Sequence, residues 1–325
     1  MRQAPARQSG FTLIEMMIAL TIGLLLLVAM SVVFVGTSTS RREMEISADV
    51  IETGRYALDS LNRELSQAGF YGTLMTPVGA TNLPCSTLLS DWADSLTFHV
   101  VGWNTSTGAA DADPSCITRK PGTDAIFIQR ASTCFVGETA GGTSICPAED
   151  NKNAYIQVSE CGNDPSSTFL IKQGNSGLFN LQTNACDGVT TAPIRRIVRR
   201  IYFVSSANVL NYVEIRLDGV QPPVPVAENI EQMQIEYAID TDSDGTADLF
   251  TSTPTAAQWP QAIGARVWLV SLSTSTSRNA STSSDLTIQM GDFTQVVPAS
   301  TAAVQKRRVY SSYIPFVTPK ARSES

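Results

Sequence analysis

Five groups of residues in this 325-residue chain have types and spacings that could do chemistry. The first is Asp240-Thr241-Asp242-Ser243-Asp244-Gly245-Thr246-Ala247-Asp248. Carboxylates at alternate positions converge when the backbone curls, and Gly245 permits the sharp turn. Thr246 can offer its carbonyl and Asp248 a further oxygen. That is the first part of a D-x-D-x-D-G calcium loop, so Asp240, Asp242, Asp244, Thr246 and Asp248 are candidate ligands for Ca2+. Thr251 stands where the bidentate Glu of the twelfth position is expected. The competing reading is an Asp/Gly-rich hairpin turn that needs no metal.

The second group is the six cysteines: Cys85, Cys116, Cys134, Cys146, Cys161 and Cys186. None forms a C-x-x-C pair, so zinc-ribbon spacing is absent. An even count behind an export-type segment points to disulfides in an oxidising compartment. Six cysteines allow about 15 pairings. Nearest neighbours in order is the expectation, with the short Cys134–Cys146 loop foremost. The alternative is that some thiols are simply buried.

The third and fourth groups point away from catalysis and from nucleic acid. His99 is the only histidine. It falls in a predicted strand and is expected to be a packed or edge residue, not a catalytic base; Ser-His-Asp hydrolysis would rest entirely on it. No glycine-rich phosphate loop and no H-E-x-x-H occurs, so no enzyme and no required cofactor is expected. Arg195-Arg196-Ile197-Val198-Arg199-Arg200 is a basic cluster. It is read as arginines on exposed strand positions beside an acidic neighbour; a DNA- or partner-binding patch is the alternative. The net charge of −7 argues against nucleic acid as the main partner.

The fifth group is Glu15 with its surroundings. From Phe11 to Gly36 it is the only charge in an apolar run. A helix of that length spans ~39 Å, enough to cross a ~30 Å hydrocarbon core. A carboxylate costs roughly 2.5–3.5 kcal/mol at the centre of such a helix, but Glu15 lies only one turn in. It could snorkel to the interface with no further role. Cleavage between Gly10 and Phe11 would instead create an α-amino group one turn away. Glu15 could then meet a cationic partner, in its own chain or in a neighbouring subunit, and complement the positive end of the helix dipole. Arg2 and Arg7 precede the run and Arg41 and Arg42 follow it, so the positive-inside count is a near tie. The run is longer than a secretory signal and no small-x-small cleavage site ends it.

The elements that carry these groups follow from periodicity. Gly36-Thr37-Ser38-Thr39-Ser40 are weak helix formers, so the helix is predicted to loosen there. A second, amphipathic helix is predicted from about Arg41 to Gly69. Its stripe is Met44, Ile51, Leu58 and Leu65, flanked by Ala48, Gly54, Leu61 and Ala68, and it is expected to pack on a sheet. Beyond it the signals are short strands: 96–101, 125–128, 155–158, 169–171, 213–217, 228–239, 265–271 and 288–297. Ser273–Asp285 is a hydrophilic loop.

Gly10-Phe11-Thr12-Leu13-Ile14-Glu15 resembles the processing motif of type IV prepilins. The run from Glu52 through Gly54-Arg55-Tyr56-Ala57-Leu58 to Ala68-Gly69-Phe70-Tyr71-Gly72 resembles the PilW group of minor type IV pilins. So do Ala265-Arg266-Val267-Trp268-Leu269-Val270 and Arg307-Arg308-Val309-Tyr310. Many major pilins carry a helix-breaking proline where this chain has Val32.

The resemblance implies an α+β, type IV pilin-like fold: a long N-terminal helix on an antiparallel β-sheet domain, with a disulfide-rich insertion. It implies a leader at 1–10, a membrane and filament-core helix at 11–36, and an amphipathic helix at 37–70. A Cys-rich β insertion at 71–190 and a β-rich domain at 191–325 complete the expected division. A prepilin peptidase would cut after Gly10 and methylate Phe11. Partners would be other minor pilins, the major pilin and the inner membrane, with a tip adhesin also implied. The chain would sit in the inner membrane with its C-terminal part periplasmic, then in the fibre at the cell surface. A type II secretion J-like pseudopilin and a non-polymerising, membrane-anchored calcium-dependent binding protein are the alternatives.

Overall fold

The structure is a computed structural model. It describes every residue except 1–9, 76, 105–113, 163, 165–167, 176, 178, 276–284, 303–304 and 318–325. Arg2, Arg7 and most of the 273–285 loop thus lie outside the described residues. The chain divides into two compact units, Met1–Ala48 and Asp49–Ser325.

One helix, α1, runs Leu13–Leu65. The loosening predicted at 36–40 does not occur. The Thr37 and Thr39 hydroxyls donate to the Val33 and Val35 carbonyls at 2.8 and 3.0 Å, inside an unbroken ladder. Propagating a helix costs far less than nucleating one, so five poor formers between two strong segments stay helical.

Within the second unit the buried face of α1 is Val50, Gly54, Ala57, Leu61 and Leu65, spaced by three and four. The predicted stripe is correct at Gly54, Leu61, Leu65 and Ala68. Ile51 and Leu58 sit half-buried on its flank, and Met44 and Ala48 are exposed. A strict seven-residue repeat drifts by ~20° per heptad around a straight helix, so one counted back from Leu65 walks off the face. The helix closes through tighter turns, with Gln67 N–H donating to Glu64 O and Ala68 N–H to Leu65 O. Gly69 follows at φ +81°, and its N–H reaches Gln129 O at 3.0 Å. Glycine tolerates that left-handed turn, which swings the chain onto the sheet.

The larger sheet is antiparallel. Its strands are β1 (Val100–Trp103), β2 (Ala125–Ala131), β5 (Ala154–Val158), β6 (Phe169–Gln173), β7 (Ile194–Val204), β8 (Leu210–Arg216), β9 (Gly219–Val220) and β10 (Val224–Ala227). A small separate hairpin, β3 (Thr139–Ala140) with β4 (Thr143–Ser144), lies between β2 and β5 in sequence. β7 is the hub. One of its edges pairs β2. Its other edge pairs β5 near Ile194 and β8 near Val204. Strands from either side of residue 190 therefore share hydrogen bonds.

The second sheet has the order β12–β11–β13–β16: Leu249–Thr251, Ile230–Ile239, Ala262–Leu272 and Arg307–Pro315. The stretch predicted as one strand at 288–297 is a hairpin, β14 (Leu286–Met290) with β15 (Phe293–Val297), turning at Gly291 with φ +59°. It lays Ile288, Met290 and Val297 on Val270. Of the strand predicted at 96–101, only Val100 and Val101 are strand; a turn holds 96–98, where Phe98 N–H bonds Ser95 O. Leu61 and Leu65 of α1 share one buried cluster with Ile128 and Ile201 of the larger sheet and Ile235 and Leu269 of the second. The architecture is α+β, a long N-terminal helix with antiparallel sheets and three disulfides.

Candidate functional site

Gly10 and Phe11 precede α1 and are exposed. A Cβ at Gly10 would meet nothing within 4 Å. Thr12 caps the helix. Glu15 Oε2 accepts from Thr12 N–H at 3.0 Å and from Thr12 Oγ1 at 2.9 Å, and Glu15 N–H faces Thr12 Oγ1 at 3.3 Å. This is a reciprocal capping box, and the T-x-x-E spacing that signals it stands in the sequence. The sequence marks Glu15 by its charge and its place one turn after the Gly10–Phe11 bond, and the cap adds a second role. Among the described residues Oε1 makes no hydrogen bond, so one oxygen stays open to a cation. The apolar side chains that follow are exposed, and α1 is long and apolar enough to cross a membrane by length and composition.

The Asp240–Asp248 loop joins β11 to β12. One carboxylate oxygen from each of Asp240, Asp242 and Asp244 falls within 4.8 Å of the others. Oxygens around a single calcium lie at most ~5 Å apart, so these three fit a shared cation. Asp240 is buried, while Asp242 and Asp244 are exposed. The same acids also organise the turn. Asp240 Oδ2 accepts from Gly245 N–H at 3.0 Å, and Asp244 Oδ1 from Thr246 N–H at 2.8 Å. Asp248 does not join the cluster. Its Oδ2 accepts from Thr241 N–H and Oγ1 at 2.8 and 2.6 Å. These Thr hydrogen bonds hold the Asp248 and Asp244 carboxyls below the usual range. The loop thus offers three of the five expected ligands as a cluster, within a hairpin turn its own hydrogen bonds already hold.

All six cysteines are paired in nearest-neighbour order: Cys85–Cys116, Cys134–Cys146 and Cys161–Cys186. The first anchors a loop that Arg199 also grips. Arg199 is fully buried and donates to Leu83 O at 2.9 Å and Ser86 O at 3.2 Å. Its guanidinium lies 4.8 Å from the Trp92 ring and 5.1 Å from that of Phe127. Burial pushes its pKa down to about 9, so it stays charged near neutrality.

The arginines of β7 are therefore not the exposed row that was predicted. Arg200 is 15% exposed at its side chain and Arg196 26%. The acidic neighbour is present twice. Glu214 takes Arg196 at 3.1 Å, Arg200 at 3.1 Å and Arg216 at 2.9 Å. Glu64, from the last turn of α1, takes Arg130 and Arg200, each at 3.1 Å. Strand pairing with β2 and β8, and α1 above, cover what alternation alone marks as a solvent face.

His99 is buried just ahead of β1. Its Nε2 lies 2.9 Å from Ala262 O and its Nδ1 3.2 Å from Thr97 O. Burial lowers its pKa against the pull of those carbonyls. Both ring nitrogens face backbone carbonyls, and among the described residues no nucleophile or carboxylate lies at them, so it is a packed residue.

Two family models match the chain. One, described as Type IV Pilus-assembly protein W, covers residues 201–317, from β7 to the end of β16. The other, the prokaryotic N-terminal methylation motif, covers residues 5–31. The run at 52–72 lies in neither. No curated protein matches. Among solved structures, a type IV-like pilin from Thermus thermophilus is similar at 12% identity and a TM-score of 0.38. That alignment covers 84% of this chain and 96% of the other.

Proposed function

From the premise that this chain carries a prokaryotic N-terminal methylation motif and a PilW domain, we propose that it is a minor pilin that helps start type IV pilus assembly. A peptidase cuts after Gly10 and methylates Phe11. The apolar helix anchors the precursor in the inner membrane and later packs inside the fibre. The C-terminal part is periplasmic first and fibre-borne afterwards. Residues 71–190 act as a Cys-rich elaboration of the β-rich domain at 191–325. Partners are the other minor pilins and the major pilin, in a tip or priming complex that can carry an adhesin. The role is structural, not enzymatic.

One observation carries this reading: a single open, apolar helix begins with an exposed Gly10–Phe11 bond and a carboxylate one turn in, with one oxygen unused. The Glu15 carboxylate pairs with the amino terminus of an adjacent subunit and sets its register. The Glu15→Ala variant should be processed yet fail to join the fibre, scored by immunoblot of sheared pili. Thr12→Ala removes the cap but keeps the charge, so it should still assemble. Normal incorporation of Glu15→Ala would refute the pairing. Amino-terminal sequencing that finds residues 1–10 still attached to fibre-borne protein would refute the whole reading.

Asp240, Asp242 and Asp244 hold a calcium ion of modest affinity at the β11–β12 turn. Titration calorimetry of the solubilised chain should show calcium heat that Asp242→Ala/Asp244→Ala abolishes. No heat from the parent protein would leave the loop as a hydrogen-bonded turn.

A further inference from the structure

A cavity of 230 Å³ lies where the chain leaving α1 crosses the larger sheet. Phe70, Gly72, Ile156, Val158, Pro193 and Arg195 line it, with Glu160 also at its wall. Its construction follows from register. Ile156 on β5 stands opposite Arg195 on β7, so both point to one face, with Val158 two residues further on. The roof is fixed, because Gly69 N–H bonds Gln129 O and Phe70 O accepts from Ala131 N–H at 2.6 Å.

Arg195 is held without a bonded carboxylate. Its Nη1 donates to Ser132 O at 3.1 Å and to Thr133 O. Its guanidinium carbon lies 5.6 Å from the Phe70 ring and 5.8 Å from that of Phe135. Both hydrogen bonds leave through Nη1. The Nε–Nη2 edge makes none among the described residues, and Nε is 3.5 Å from where a Cβ on Gly72 would sit. That edge is the one a carboxylate meets bidentately. Tyr71 and Thr73 complete the lining, and Arg195 feels the charges of Glu138 and of the exposed Glu160. Ordinary drug-sized sites start near ~300 Å³, so this one fits a single residue.

We infer that this cavity binds a free apolar α-amino acid. Its carboxylate would lie on the Nε–Nη2 edge of Arg195, its ammonium toward Glu160 and its side chain against Ile156, Val158 and Pro193. The same carboxylate on an apolar stem is also offered by the last residue of a polypeptide, which lacks the ammonium. Glu160 selects the free amino acid.

Calorimetry of the full-length, detergent-solubilised chain with L-leucine tests this, beside leucinamide and N-acetyl-L-leucine. L-leucine should bind with a Kd on the order of 1 mM or tighter. Leucinamide, without the carboxylate, should not bind. N-acetyl-L-leucine, which mimics a chain terminus, should bind roughly tenfold more weakly or worse. Glu160→Gln, a near-isosteric change at an exposed lining residue, should erase that preference. Arg195→Gln should abolish binding of both. Equal binding of the acetylated form would overturn the free-amino-acid assignment in favour of a chain terminus. No binding of either ligand by the parent protein would overturn the site itself. Neither outcome bears on processing or assembly.

Discussion

At the scale of single residues, several functions come down to the space or the charge that one side chain leaves. Gly54 is an example. A Cβ there would sit 2.1 Å from Cε2 of Tyr310, whose hydroxyl also reaches Val50 O at 3.4 Å. The ring lies against α1 because the helix has a gap at that point. Gly54→Ala should cost about 2 kcal/mol through overpacking, despite alanine's better helix propensity. Thermal unfolding would measure it, and adding Tyr310→Leu should recover part of the loss. His99 gives a pH prediction with a definite sign. Its folded pKa is depressed by burial below the ordinary 6.5, so the unfolded chain takes up the proton first. Stability tied to this residue is complete above about pH 6.5 and falls as the pH drops toward the folded value. Denaturant unfolding between pH 7 and pH 5 should show that slope, and His99→Gln should flatten it. The capping box was legible as T-x-x-E at residues 12–15. The Ala262 carbonyl at His99 Nε2 is not legible, because Ala262 is 163 residues away.

At the scale of elements, β7 decides most of what differs from expectation. Its residues read in the sequence as a basic cluster, and the strand they form is the centre of the larger sheet. Alternation along one strand cannot tell a solvent face from a face that another layer will cover. Burial alone would raise the Glu214 carboxyl, but Arg196, Arg216 and Arg200 together hold it below its ordinary 4.5. Its contribution to stability is therefore present above about pH 4.5 and is lost as the pH falls through the depressed value. Glu214→Gln should remove that acid limb. It should also cost about 3 kcal/mol at neutral pH, because three partly covered guanidiniums lose their shared acid. Urea unfolding at pH 7 and pH 4 would separate the two effects. Other strands are readable to within a residue or two, among them β5 and β6, since each is a short apolar run between Gly, Asn or Asp clusters, while β2 runs three residues past its expected end.

At the scale of the whole molecule, the disulfides and the long apolar stretch of α1 fall in different parts of the chain. The three bridges close loops of 31, 12 and 25 residues in sequence separation, all within the β-rich unit. Opening the shortest, by Cys134→Ser/Cys146→Ser, should cost roughly 3 kcal/mol of that unit's stability. It should not alter the proposed cleavage after Gly10, which differential scanning calorimetry and mass spectrometry together would establish. From the sequence alone came the apolar span, the N-terminal methylation motif, the acid one turn in and the strand-rich remainder. Each of these is written in neighbouring residues, through composition, period or a motif a few positions long. Contacts between distant residues decided the rest. The Glu64 to Arg130 bridge spans 66 residues, and Arg199 reaches back 116 residues to the Leu83 carbonyl. The burial of charges on β7 and the small cavity beside Arg195 exist only once β2, β5, β8 and α1 have closed around that strand, and the gap at Gly54 only once β16 brings Tyr310 to the helix. A side chain's surroundings belong to the fold, whereas its period belongs to the chain.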